Sequence, residues 1–109
     1  MDFPIIIFTT FPNEKEADSI LKTLLDKKLV ACAQKTFQVE SKYLWNGRVE
    51  TDREVQTKMT TFHGYIPQIE RVMSEMHSYD VYQFIVVKLD YVNEKYLKWM
   101  KEVIDSNKE

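Results

Sequence analysis

The sequence predicts a single α+β domain, and three observations carry that prediction. Along the chain, apolar residues switch between a period of two and a period of roughly 3.6 in the order strand, helix, strand, strand, helix, strand, helix. An Asn46-Gly47 pair stands between two stretches rich in aromatic and charged residues. It is a strong hairpin signal, because a type I′ turn needs positive φ at both central positions. Several strand stretches are apolar on both parities, so each asks for cover on both faces. At 109 residues the chain, taken as one domain over 1–109, is long enough for one core and too short for two.

The first strand is read over Phe3 to Thr9, β-branched and aromatic, ending at Phe11-Pro12-Asn13. Asn13 with Glu16 three residues on resembles a capping box, with Asn in place of Ser or Thr. Ala17, Ile20, Leu21, Leu24 and Leu25 then repeat at helical spacing, predicting a helix to about Lys28. Leu29 to Ala33 opens a second strand that continues through Phe37 and Val39 into the Asn46-Gly47 turn. The return strand is expected over Val49 to Thr61, with a bulge near Thr51 to Arg53.

A second helix is expected to start between Phe62 and Tyr65, with Pro67 in its first turn and a buried stripe of Ile66, Ile69, Val72, Met73 and Met76. It ends near His77, and Val81 to Val87 reads as the last strand, apolar on both sides. Asn93 caps a terminal helix bearing Tyr96, Leu97, Met100 and Ile104, followed by a charged tail expected to fray. A βαββαβ chain closes most simply as a ferredoxin-like (split βαβ) plan, an antiparallel sheet with helices on one face plus the C-terminal helix. The opposite face is then bare. A partner subunit is the economical cover, so an obligate oligomer is expected, with the hairpin and its Tyr43 and Trp45 reaching toward a neighbour's sheet edge.

Charge and composition exclude several classes. Fifteen Lys and Arg are scattered among seventeen Asp and Glu, for a net charge of −2. No basic stripe marks a nucleic-acid footprint. Cys32 is the only cysteine, so no internal disulfide forms and a cytoplasmic setting is expected. No signal-like segment and no membrane-length apolar run is read, so no membrane insertion is expected. Phosphate loops, paired-cysteine zinc signatures and nucleophile elbows are missing, and two glycines leave little for a nucleotide cradle.

The remaining candidates for chemistry are few. His63 and His77 stand near opposite ends of one helix, roughly 20 Å apart at 1.5 Å per residue, so one subunit cannot put both on one ion. His63 reads as a polar residue at a helix start. His77, at a helix C-terminus, reads first as a group satisfying a carbonyl and second as a metal or pocket ligand. Cys32 reads first as a small buried apolar residue and second as a soft ligand for Cu(I) or Zn(II), which would need His77 or carboxylates to converge on it. Glu50, Asp52 and Glu54 read as a solvated acidic turn, and Met73 and Met76 as core.

Five segments, in order and spacing, resemble the CutA family of divalent-cation-tolerance proteins. They are Thr9-Thr10-Phe11-Pro12-Asn13, then Leu29-Val30-Ala31-Cys32-Ala33, then Tyr43-Leu44-Trp45-Asn46-Gly47 with Glu54-Val55. His77-Ser78-Tyr79-Asp80-Val81 and Asn93-Glu94-Lys95-Tyr96-Leu97-Lys98-Trp99 complete the match. The resemblance implies a ferredoxin-like protomer in a homotrimer similar to PII-like proteins, and copper or another divalent cation as an associated ion. It places Cys32, Thr60, His77, Tyr79 and Gln83 at the inter-subunit cleft as ligand candidates, with Cys32 and His77 the metal candidates. Ser78 stands where the family usually has Pro, Tyr82-Gln83 where Pro-Glu is usual, Thr60 where a Lys is usual and Gln34 where an Asn is usual. One basic and one acidic cleft position are thereby neutral. The expected function is metal-responsive binding without catalysis. Two alternatives stay open: a PII-like signalling or scaffold trimer for an unidentified protein partner, and an acylphosphatase-like hydrolase, for which Arg48-Val49 offers little anion cradle.

Overall fold

A computed structural model of the chain describes residues 2–105. The elements are β1 (Pro4–Phe11), α1 (Glu14–Asp26), β2 (Cys32–Trp45), β3 (Arg48–Phe62), α2 (Ile66–Met76) after a 3-10 turn at His63–Tyr65, β4 (Ile85–Lys88) and α3 (Glu94–Asp105). The strands make one sheet in the order β2-β3-β1-β4, antiparallel throughout. The chain is thus α+β, with an antiparallel sheet and three helices among the described residues. The charged tail expected to fray, residues 106–109, lies outside them.

Local chemistry explains the ends of the elements. Asn13 has extended backbone, and its Oδ1 accepts the Glu16 N–H at 2.9 Å, capping α1. The α1 exit is a Schellman turn, with Lys28 at φ 57° and the Leu29 N–H donating to the Leu24 carbonyl at 3.0 Å. That turn corrects the expected second strand: Leu29, Val30 and Ala31 are buried, but the strand itself begins at Cys32. Thr61 Oγ1 fastens the turn to β3 by donating to the Leu29 carbonyl at 2.6 Å. Asn93 caps α3 by accepting the Tyr96 N–H at 2.9 Å.

The core lies on one face of the sheet. Ile5, Ile7 and Phe11 of β1 alternate inward with Val55 and Met59 of β3, and they pack against Ala17, Ile20 and Leu24 of α1 and Ile69 and Met73 of α2. Each of these side chains other than Ala17 contributes about 1.5–3 kcal/mol on burial. Met100 and Ile104 join α3 to the same cluster. The opposite parity is left largely bare. Across it runs a row of Cys32, Thr60, Ile6 and Val87, followed by a row of Gln34, Lys58, Phe8 and Ile85. Val87 keeps 43% of its surface in solvent.

The β2–β3 hairpin outruns the sheet. β1 pairs with β3 only as far as Val55, so from Val39↔Glu54 to Trp45↔Arg48 the two strands have only each other. That ribbon projects about 20 Å. It stretches the molecule to 46 × 27 × 24 Å, with a radius of gyration of 14.8 Å against about 13 Å for a compact chain of this size. Asn46 and Gly47 take φ 52° and 76° at its tip, as a type I′ turn requires. The irregularity expected at Thr51 to Arg53 falls instead in β2, between Lys35 and Gln38, where Thr36 Oγ1 donates to the Gln56 carbonyl. There Lys35 is drawn to Asp18 at 2.7 Å, anchoring the base of the ribbon to α1. The last strand is also shorter than expected: residues 81–84 leave the ladder, and Tyr82 stacks on His77.

Candidate functional site

His77 organises one end of the site. It closes α2, where its own N–H donates to the Met73 carbonyl, and its side chain is fully buried. The ring is sandwiched between Phe11 and Tyr82, each with its centroid 5.0 Å away and nearly parallel. Nε2 lies 2.8 Å from the Thr10 carbonyl and must donate; Nδ1 lies 3.1 Å from the Tyr79 amide and must accept. The partners therefore assign the neutral imidazole with its proton on Nε2. Beside it, the Glu16 carboxylate accepts from the N–H and the Oγ of Ser78, each at 3.1 Å. Glu16 thus leaves its capping box half made and ties α1 to the segment after α2.

That segment forms one wall of a cleft of about 920 Å³, and the projecting ribbon forms the other. Ser78, Tyr79, Asp80, Val81 and Gln83 face Ser41, Tyr43, Trp45, Glu50, Asp52 and Glu54, with Thr10 between them. Glu54 is buried, at 8% exposure, so the acidic stretch read as a solvated turn is solvated only in part. Burial, then the Glu54 carboxylate, pushes the Tyr79 phenol up to about 12. The Tyr43 hydroxyl donates to Asp52, and that bond is the main reason its own phenol rises to about 12. Burial raises Tyr82, with Glu70 adding to it. Among the described residues Lys42 is the one basic side chain lining the cleft, and it is drawn toward Glu40 at 3.2 Å.

The sequence candidates divide into two places. Tyr79 and Gln83 line the cleft, and His77 stands behind Tyr79. Cys32 and Thr60 are register partners on the bare sheet face, far along the strands from Thr10. Strand spacing puts Cys32 on the order of 15 Å from His77 within one chain. Thr60 Oγ1 is buried without a hydrogen-bond partner. His63 is exposed, its ring against Phe3. Sequence reasoning missed Glu16 and Glu54. Glu54 lay open to detection, since it shares strand parity with Thr60 on a face expected to be covered.

Within one protomer the described residues do not build a metal site. Among the described residues no three His, Cys, Asp or Glu side chains converge on a point. Both ring nitrogens of His77 have protein partners, the Thr10 carbonyl and the Tyr79 amide. Cys32 has neither His77 nor a carboxylate beside it in the register.

Comparison with known proteins places this geometry. A family model described as CutA1 divalent ion tolerance protein matches residues 5–103. A divalent-cation tolerance protein CutA of Pyrococcus horikoshii is 39% identical over 98 residues, 90% of this chain and 95% of its own. Protein CutA of Homo sapiens is 33% identical over 99 residues, which are 91% of this chain and 55% of the human one. Among solved structures, CutA1 from Pyrococcus horikoshii superposes with a TM-score of 0.85 at 37% identity, covering 91% of this chain and 96% of that one. A CutA of Archaeoglobus fulgidus, described as a periplasmic divalent cation tolerance protein, gives 0.90 at 27% identity, covering 94% and 99%. The match spans nearly the whole core, the ribbon and the cleft walls, and the chain belongs to the CutA1 divalent ion tolerance protein family.

Proposed function

We propose that this chain is a homotrimeric divalent-cation-tolerance protein with a ferredoxin-like protomer, and that it binds copper or another divalent cation weakly in clefts between subunits. The observation that carries the reading is a cleft bearing Glu50, Asp52, Glu54 and Asp80 that opens beside an uncovered apolar sheet face. Carboxylates recruit hard and borderline divalent ions, and one protomer supplies too few convergent donors to close a coordination shell. A neighbouring subunit supplies the rest. The strand order β2-β3-β1-β4 favours the ferredoxin-like plan, and the exposed Ile85 and Val87 favour assembly across that face. Cys32 and Thr60, on the same bare face, then lie near a subunit boundary, with Tyr79 and Gln83 in the cleft.

The protein acts in this reading by binding, without turnover, and in the cytoplasm, consistent with a single unpaired cysteine. No helix among the described residues is long and apolar enough to cross a membrane. Light scattering combined with calorimetric titration of Cu(II) and Zn(II) tests the proposal. The expected result is a three-chain mass and binding weaker than about micromolar that is reduced in Glu50→Gln and Asp52→Asn. A single-chain mass, or titration heats that are the same in both variants, would overturn it.

A further inference from the structure

We propose that Glu16, Ser78 and His77 form a proton-operated latch that holds Tyr79 in the wall of the cleft. The latch is internal to one chain, so it rests neither on assembly nor on a bound cation. Three facts define its closed state. The Tyr79 amide, which has no strand partner, donates to Nδ1 of His77 at 3.1 Å. The opposite ring nitrogen is fixed on the Thr10 carbonyl at 2.8 Å. Glu16 Oε2 waits 3.5 Å from the same Nδ1, already holding the Ser78 N–H and hydroxyl.

A proton added at Nδ1 turns that nitrogen from acceptor to donor. Two N–H groups then face each other, and the Tyr79 amide loses its partner. The new N–H has an acceptor within reach in Glu16 Oε2, so a modest movement of the ring exchanges one bond for a charge-assisted one. The transfer balances: the proton comes from solvent, the Nδ1 lone pair takes it, and no covalent bond between heavy atoms changes.

The groups around the ring leave this exchange to Glu16. β1 contributes the Thr10 carbonyl and the Phe11 ring, neither of which titrates. α1 contributes Glu16. The rings of Tyr79 and Tyr82 flank the imidazole from its own turn. Glu54 of β3 lies beyond Tyr79, and Glu70 of α2 beyond Tyr82. Glu16 is the carboxylate in direct reach of the ring. Opening frees the Tyr79 backbone and hence its hydroxyl's approach to Glu54, changing the acidic wall of the cleft.

Nuclear magnetic resonance of the full chain tests the latch. Long-range proton–nitrogen correlation reads the His77 tautomer directly, and amide hydrogen exchange reads the Tyr79 bond. As pH falls, the Nε2–H tautomer is expected to gain a proton on Nδ1, and Tyr79 exchange, corrected for intrinsic rates, to rise about tenfold as one hydrogen bond is lost. Amides of Ile7 and Met59 in the core stay protected. Glu16→Gln keeps an acceptor for Ser78 but removes the anion, and should move the Tyr79 transition to lower pH. The latch is refuted if His77 takes up its proton while Tyr79 protection is unchanged, or if His77 stays neutral down to about pH 4. It is also refuted if Glu16→Gln leaves the transition where it was.

Discussion

Tyr79 shows how one side chain in this cleft couples fold to charge. Its phenol sits beside the buried Glu54 carboxylate, and burial together with that carboxylate raises it to about 12 from 10.0. The sign of the pH effect follows. The unfolded chain releases this proton near pH 10 and the folded chain holds it to about 12, so the stabilisation is complete below pH 10 and is lost between those values. Denaturant midpoints should therefore fall more between about pH 9.5 and about pH 11.5 in the wild type than in Tyr79→Phe. At neutral pH the same variant should be modestly less stable, since the buried Glu54 carboxylate loses the phenol beside it. Urea unfolding at the two pH values measures both effects. Equal pH dependence in the two proteins would remove Tyr79 from the account.

At the scale of elements, turns and caps decide where each strand begins. Lys28 is held at φ 57°, a conformation that costs a non-glycine residue about 1–2 kcal/mol, against about 0.5–1 kcal/mol for the greater flexibility of glycine. Lys28→Gly is expected to stabilise the chain by about 0.5 kcal/mol, and Gly47→Ala at φ 76° to destabilise the ribbon by about 1 kcal/mol; thermal melts check both. These positions also show what was legible in the chain. Asn46-Gly47, Asn13 and Asn93 were readable because each acts on backbone groups within three residues of itself, so local sequence contains the whole interaction. The ends of β2 and β4 were not. Leu29 to Ala31 look like strand, but the Schellman turn at Lys28 and Leu29 delays the strand to Cys32, and Tyr82 looks like strand until it stacks on His77. Glu16 is the same lesson at the site: its first-turn position signals a capping box, while its actual partner, Ser78, lies across the fold. The cleft was legible only as the residues of its walls, because what joins them is the tertiary path of residues 77–84.

For the whole molecule, the decisive quantity is apolar surface that one chain leaves in water. Leu44 and Val49 near the ribbon tip remain 74% and 71% exposed, and Ile85 and Val87 stand open on the sheet face. An isolated two-stranded ribbon is marginal in water, so its regular pairing out to Trp45↔Arg48 asks for a surface to rest on. Large contiguous apolar patches on a protein surface are a usual sign of an interface. A charge placed on the open face separates folding from assembly: Val87→Lys costs a single chain less than about 0.5 kcal/mol, because the position already meets solvent. Across a buried interface the same ammonium would be stranded, at a cost of several kcal/mol per subunit. On the proposed homotrimer, the wild type should scatter light with three times the 13.0 kDa chain mass, and Val87→Lys with the mass of one chain, its circular dichroism unchanged. If the variant keeps the wild-type mass, assembly uses another surface, and the proposal of a cation site completed across this face falls. If it unfolds outright, the bare face supports the fold only in the assembled state, and the protomer has no independent existence.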